Sequence, residues 1–320
     1  MAPVGELQAL VRRALGAHAD LQDVQRLRGG TKKGVYRLTL VDGSSVIVYL
    51  WSSQENYWPV REGIAEDRDP FSHADGLDLF LGATDALTRA GVRTLLVHLV
   101  EKHHPGLGAD VAIVQDVPGP TLEEHIAHGD PDQVRVVLER VRHTLGAMAA
   151  HTQDGLGKAC GPLIRDRSCP EVVVERALAD LAEGAERRPV LAQVATRVAE
   201  RLRTLVGRIT PRREYGLVHG ELGPDHILVD ADDRPVLIDI EGLMYFDREW
   251  EHTFLRLRFG EWYRHLGCPG LDPARIDLYM LAHHLSLVAG PLRLLDGPYP
   301  DRAEMQAIVD HHLGCVLAQA

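Results

Sequence analysis

Cysteine is scarce in this chain and shows no metal-type spacing. The four residues Cys160, Cys169, Cys268 and Cys315 are scattered, which excludes a disulfide framework or zinc-ribbon module and reads as free thiols in a reducing compartment. Long apolar runs are also missing. No stretch approaches the roughly 18 residues that a membrane span requires, and the opening segment MAPVGELQALVRRALGAH mixes charges into its apolar period, as an amphipathic helix does and a signal peptide does not. The expectation is a cytoplasmic protein with no membrane partner. Basic residues are outnumbered, 35 Lys and Arg against 46 Asp and Glu, for a net charge of −11. That balance argues against a nucleic-acid partner, which needs a basic face, and suits a cationic small molecule. Internal repeats and low-complexity tracts are absent. At 320 residues the chain exceeds one ordinary core, so two lobes are expected.

The apolar pattern changes character once along the chain. Residues 4 to 17 have helical spacing. Residues 24 to 51 read as strand, Gly-rich turn, strand, tight turn and strand, with Asp42-Gly43 as the hairpin signal. Residues 76 to 92 form a helix ending at Gly91, and residues 94 to 102 and 109 to 117 are further strands. After Pro118-Gly119-Pro120 the pattern turns helical. Thr121 and Glu124 have capping-box spacing, and helices are expected over 132 to 151, 171 to 184 and 190 to 206 and through most of the region beyond Asp247. Two short strands, GLVHG and PVLIDI, interrupt them. The boundaries predicted are a β-rich lobe over 1 to 117 and a helical lobe over 118 to 320.

Those two strands flank the densest group of acid, base and metal-ligand side chains in the sequence. HGELGPDHILVD (219 to 230) and the following LIDIEG bring His219, Glu221, Asp225, His226, Asp239 and Glu241 together. Glu221 follows a strand and a glycine, so its carboxylate should project from a turn, where it can accept a proton. Asp239 ends a strand beside it and offers the hard oxygen that Mg²⁺ prefers. Asp225 is a reserve base, and Glu241 supplements Asp239 or pairs locally.

HGELGPDHILVD with LIDIEG resembles the HGDLxxxN and IDW pair of the aminoglycoside phosphotransferase family, relatives of the protein kinases. The resemblance continues in order through RGGTKKGVYRL, LTRAGVRT, VAIVQDVPGPTLEEHI, LGAMAAHT and FDREWEH. It implies an α+β fold, bilobal and protein-kinase-like, with a β-rich N-lobe and a mostly helical C-lobe. It implies Glu221 as catalytic base, and His226 and Asp239 as metal ligands for Mg²⁺ or Mn²⁺. His219 and Asp247 would support the loop, with Asp247 and Glu251 matching the family's acidic pair. ATP would bind at Gly29, Gly30, Thr31, Lys32 and Lys33, and at the backbone of Gln115 and Val117. The implied activity is phosphoryl transfer from ATP to a hydroxyl of a small molecule, an antibiotic or other secondary metabolite, by a monomer or homodimer. Alternatives are a kinase of a Ser or Thr in a biosynthetic peptide, and a nucleotide-binding pseudokinase.

Three departures bear on activity. His226 replaces the family's Asn, as in macrolide phosphotransferases, and imidazole is a tolerable ligand for Mg²⁺ or Mn²⁺. Glu221 replaces Asp; a methylene moves a carboxylate by ~1.5 Å, and misplacement on that order costs ~10²-fold. The strand VIVYLW lacks the phosphate-anchoring lysine and has Val48 or Tyr49 in its place, so Lys32 and Lys33 are the candidate substitutes. The helix glutamate that would pair with that lysine is also missing, and Asp78 is the nearest acid. The tract with Trp51, Tyr57 and Trp58 reads as packing under a loop, or as a substrate wall. The pairs His103-His104, His283-His284 and His311-His312 read as structural, because adjacent helical residues do not share a face.

Overall fold

Alternation along one strand decides how the N-terminal half is layered. In the computed structural model, which describes residues 3–27, 30–59, 69–72 and 74–320, helix α1 (Val4–Leu15) precedes strands β1 (Leu21–Arg26), β2 (Gly34–Leu40) and β3 (Ser45–Trp51). Helix α2 (Leu77–Arg89) and strands β4 (Val97–His104) and β5 (Ala109–Gln115) follow. The five strands form one antiparallel sheet in the order β1-β2-β3-β5-β4. Val46, Val48 and Leu50 of β3 pack with Leu7, Leu10 and Val11 of α1. Ile47, Tyr49 and Trp51 point to the opposite face and pack with Phe80 of α2. A strand buried on both faces needs apolar side chains at every position, and VIVYLW supplies them. The β2–β3 hairpin turns at Asp42-Gly43, where Gly43 has φ +84° and Asp42 Oδ1 accepts from the Ser44 backbone N–H at 2.9 Å.

At the crossing between lobes, Asp116 is fixed by Arg37 at 2.7 and 3.1 Å and by the Ser45 hydroxyl at 2.6 Å. Gly119 follows with φ +146°, and a Cβ there would stand 2.7 Å from the Val229 carbonyl oxygen, so both backbone and space require glycine.

The C-terminal half contains α3 (Leu122–His128), opened by the Thr121–Glu124 capping box, then α4 (Pro131–Ala150), β6 (Thr152–Gln153) and β7 (Gly157–Lys158). Next come α5 (Cys169–Arg187), the single turn α6 (Pro189–Ala192), α7 (Ala195–Val206) and β8 (Tyr215–Val218). β9 (Ile227–Val229), β10 (Pro235–Leu237), β11 (Met244–Phe246), α8 (Arg248–Phe259), α9 (Pro273–Asp296) and α10 (Arg302–Ala318) complete the order. β9 and β10 pair as a hairpin, and β6-β8-β11-β7 form a small sheet. The fold is α+β, a sheet-rich lobe followed by a helical one. The larger core cluster runs through both, from Ile47 and Tyr49 to Leu222, Leu243 and Val316. No helix among the described residues is long and apolar enough to cross a membrane.

Beneath the small sheet lies a buried polar node. Asp247, at the start of α8, accepts from Arg275 Nε at 2.9 Å and the Tyr279 hydroxyl at 2.5 Å, both on α9. Arg212 grips Glu249 through two contacts at 2.5 and 2.7 Å. The Arg275 and Asp247 side chains are 1% and 0% exposed, so neither charge has water as an alternative partner. Arg275→Ala should therefore cost about 3–5 kcal/mol, the range for breaking one side of a buried pair. Urea unfolding checks this, and a loss within the ~1 kcal/mol typical of exposed pairs would contradict it.

Candidate active site

The loop after β8 is built around a glycine gripped from two sides. Gly220 has φ +90°, a conformation that favours glycine. Its N–H donates to Glu251 Oε2 at 2.9 Å, and its carbonyl accepts from Trp250 Nε1 at 3.2 Å. Burial raises the Glu251 carboxyl to about 7. His219 lies behind the loop, donating from Nε2 to the Ile238 carbonyl at 3.0 Å. Burial, with His226 nearby, lowers its imidazole to about 4, so it is neutral at pH 7. With the backbone pinned, Glu221 is exposed to the cleft between the lobes.

A short 3₁₀ turn (Pro224–His226) carries His226 back toward Glu221. His226 Nδ1 donates to the Glu221 carbonyl at 2.9 Å. That bond turns Nε2 outward, 3.6 Å from Asp225 Oδ2 and 3.9 Å from Asp239 Oδ2. Asp239 itself sits at φ 57°, ψ 44°, a left-handed conformation unusual for a residue with a side chain. This turn ends β10 and points the carboxylate into the cleft, where the side chain is half exposed.

Lys33 crosses from the other lobe. It stands immediately before β2, and its Nζ reaches Asp239 Oδ1 at 2.8 Å and Glu241 Oε1 at 2.5 Å. The same ammonium lies 5.1 Å from the centroid of the Tyr49 ring on β3, and Trp51 Nε1 donates to Glu241 at 3.3 Å. Burial opposes charge on Lys33, but Asp239 and Glu241 outweigh it and hold the ammonium well above its ordinary value. Asp239 moves the opposite way: desolvation opposes ionisation, and Lys33 and His226 overcome it, keeping the carboxyl far below the usual range. Glu221 is likewise kept ionised against desolvation and the repulsion of Asp239 by Lys32, Arg176 and His226.

Several other candidates are occupied elsewhere. A Cβ at Gly30 would stand 2.4 Å from the Lys33 carbonyl oxygen, so this glycine closes the turn. The Thr31 hydroxyl accepts from Trp58 Nε1 at 3.0 Å and its carbonyl from the Tyr57 N–H at 2.9 Å. Lys32 lies over the Trp58 ring at 5.7 Å and from there still acts on Glu221. Gly29 lies outside the described residues. The Gln115 N–H is committed to the Leu96 carbonyl at 2.8 Å, while Val117 is buried at the hinge. Asp225 accepts from Arg258 at 2.8 Å. Asp78 pairs with Lys102 at 2.7 Å, on the outside of α2. Asp247 belongs to the polar node, so the direct braces of the loop are His219, Glu251 and Trp250.

Two basic residues carried no motif and were not anticipated. Lys158 on β7 is drawn down to about 8 by burial and Lys32, with Glu221 and Asp69 opposing. Arg176 on α5 stacks on Phe71 at 4.7 Å and interacts with Glu221. Lys158 also borders a cavity of about 370 Å³ whose wall includes Asp69, Asp75, Asp78 and Cys160.

The donor set fits a divalent cation. His226 Nε2 and Asp239 Oδ2 lie 3.9 Å apart, against ~3.0 Å between adjacent ligands of an octahedral Mg²⁺, so small side-chain rotations would bring both into one coordination sphere while Asp239 Oδ1 stays on Lys33.

Among solved structures, aminoglycoside phosphotransferase APH(4)-Ia is similar at 16% identity, TM-score 0.64, covering 97% of this chain and 98% of its own. A putative fructosamine-3-kinase from Thermobifida fusca is similar at 20% identity, TM-score 0.57, covering 99% and 100%. Spectinomycin phosphotransferase APH(9)-Ia, in complex with ADP and spectinomycin, is similar at 13% identity, TM-score 0.62, covering 96% and 93%. At these identities they establish a shared fold. No curated protein sequence matches significantly. The model of the phosphotransferase enzyme family APH matches residues 9–294, nearly the whole chain, and the protein therefore belongs to that family.

Proposed function

We propose that the protein transfers the γ-phosphoryl group of ATP to a hydroxyl of a small molecule, an antibiotic or other secondary metabolite. The observation carrying this reading is the Lys33–Asp239 pair across the cleft, with Glu221 and His226 beside it. Phosphoryl transfer needs little covalent help; it needs in-line positioning and positive charge on the phosphates. Glu221, held ionised, orients the acceptor hydroxyl and takes its proton as the new O–P bond forms and the bond to the leaving phosphate oxygen breaks. His226 and Asp239 would hold Mg²⁺ or Mn²⁺, which when bound neutralises phosphate charge. Lys33 serves as the phosphate anchor that β3 lacks, and Glu241 stands in for the absent helix glutamate as its partner. ATP's base faces the hinge near Val117. The acceptor occupies the 370 Å³ cavity beside Lys158, whose volume lies in the range of small-molecule sites.

ATP should raise the melting temperature, and more so with Mg²⁺ or Mn²⁺; no shift under any condition contradicts the proposal. In a screen of ATP consumption over hydroxyl-bearing metabolites, Asp239→Ala should abolish turnover, and persistence would mean that the chemistry lies elsewhere. With an acceptor identified, Glu221→Gln should lower kcat by ~10²–10⁴-fold. Lys33→Met should lower kcat/KM by at least ~10²-fold, in the range for losing one preorganised charge-stabilising donor. Near-normal rates in either variant would remove that residue from its role. ATP binding without turnover for any acceptor would favour the pseudokinase reading.

A further inference from the structure

We propose that His284, His312 and Cys315 form a binding site for a soft divalent transition metal, Zn²⁺ above all, that clasps α10 to α9. One member of each of two His-His pairs contributes. His284 projects from α9, and His312 and Cys315 share one face of α10 at i, i+3 spacing. His284 Nδ1 and His312 Nδ1 are 2.9 Å apart, and the donor atoms of the three residues all lie within 4.8 Å of one another. A tetrahedral Zn²⁺ with ordinary bond lengths spaces two imidazole nitrogens by ~3.3 Å and a nitrogen and a sulfur by ~3.6 Å. Small side-chain rotations therefore bring all three into the coordination sphere.

The chemistry of the donors selects the ion. Two imidazoles and a thiol, with no carboxylate in the group, disfavour Mg²⁺ and Ca²⁺ and favour Zn²⁺ or Co²⁺. A shared proton between the two rings accounts for their approach but gives Cys315 no part. His311 Nε2 lies 3.9 Å from Cys315 Sγ, one turn away on the same helix. His311 faces away from His312, so water completes four-coordination. The site is remote in sequence from the phosphotransfer residues and is independent of the function proposed for them.

Co²⁺ titration of the metal-free full-length protein reads the site directly, because a cysteine ligand produces a thiolate-to-cobalt charge-transfer absorption. One equivalent should produce it and Zn²⁺ should displace it. Cys315→Ser should remove it. Cys268→Ser, which alters the separate Cys268–His252 contact at 3.2 Å, and Asp239→Ala should both retain it. His312→Gln keeps every cysteine and should weaken Zn²⁺ binding at least tenfold, roughly the lower bound for perturbing ligand support. This second variant decides the matter should Cys315→Ser fail to fold. The proposal is overturned by the absence of the band, its persistence in Cys315→Ser, its loss in Cys268→Ser, or unchanged Zn²⁺ affinity in His312→Gln.

Discussion

A single buried ammonium joins the two lobes. Lys33 leaves the Gly-rich turn of the sheet lobe and reaches Asp239 and Glu241, which follow β10 in the helical lobe. Lys33 and Glu241 are buried and compensate each other, while Asp239 keeps one side open to the cleft. The arrangement keeps Asp239 ionised, and the lysine lies against Tyr49, where β3 offers an aromatic ring in place of an amine. The cation at the cleft thus comes from the turn before β2, with Glu241 as its buried acidic partner.

A second layer of buried polar contacts supports that pair. The glycine that presents Glu221 is held by Glu251 and Trp250 of α8, and Asp247 and Glu249 join the start of that helix to Arg275 and Arg212. The tract containing Tyr57 and Trp58 does related work from the other side. It fixes Thr31 through two hydrogen bonds and packs Tyr57 on Tyr299 at 5.5 Å. The turn that carries Lys33 is thereby tied to the C-terminal helices.

Much of the fold was legible because its signals are local. The Asp42-Gly43 hairpin, the Thr121–Glu124 capping box, the doubly apolar β3 and the change of period near residue 117 each depend on neighbours in sequence. The predicted helix over 171 to 184 proved longer, Cys169–Arg187, its start set by the Ser168–Glu171 capping box. The two- and three-residue strands β6, β7 and β11 were not legible; they exist only through pairing with distant segments. At the site, HGE and LID marked Glu221, His226 and Asp239 as candidates. The partnership of Lys33 with Glu241 spans 208 positions and leaves no trace in local spacing. The contacts of Thr31 with Trp58 and Tyr57 and of Asp225 with Arg258 likewise join segments distant in sequence.

We propose that Lys33 occupies, from β2's side of the turn, the position that a β3 lysine would otherwise fill. Restoring a lysine on β3 tests this most directly. The quantity to measure is kcat/KM for phosphoryl transfer in Lys33→Met and in the double variant Lys33→Met/Tyr49→Lys, each shown to be folded by its melting curve. Tyr49→Lys should recover at least roughly tenfold of the activity lost in Lys33→Met, a change read as transition-state stabilisation regained. A folded double variant no more active than Lys33→Met alone would contradict it.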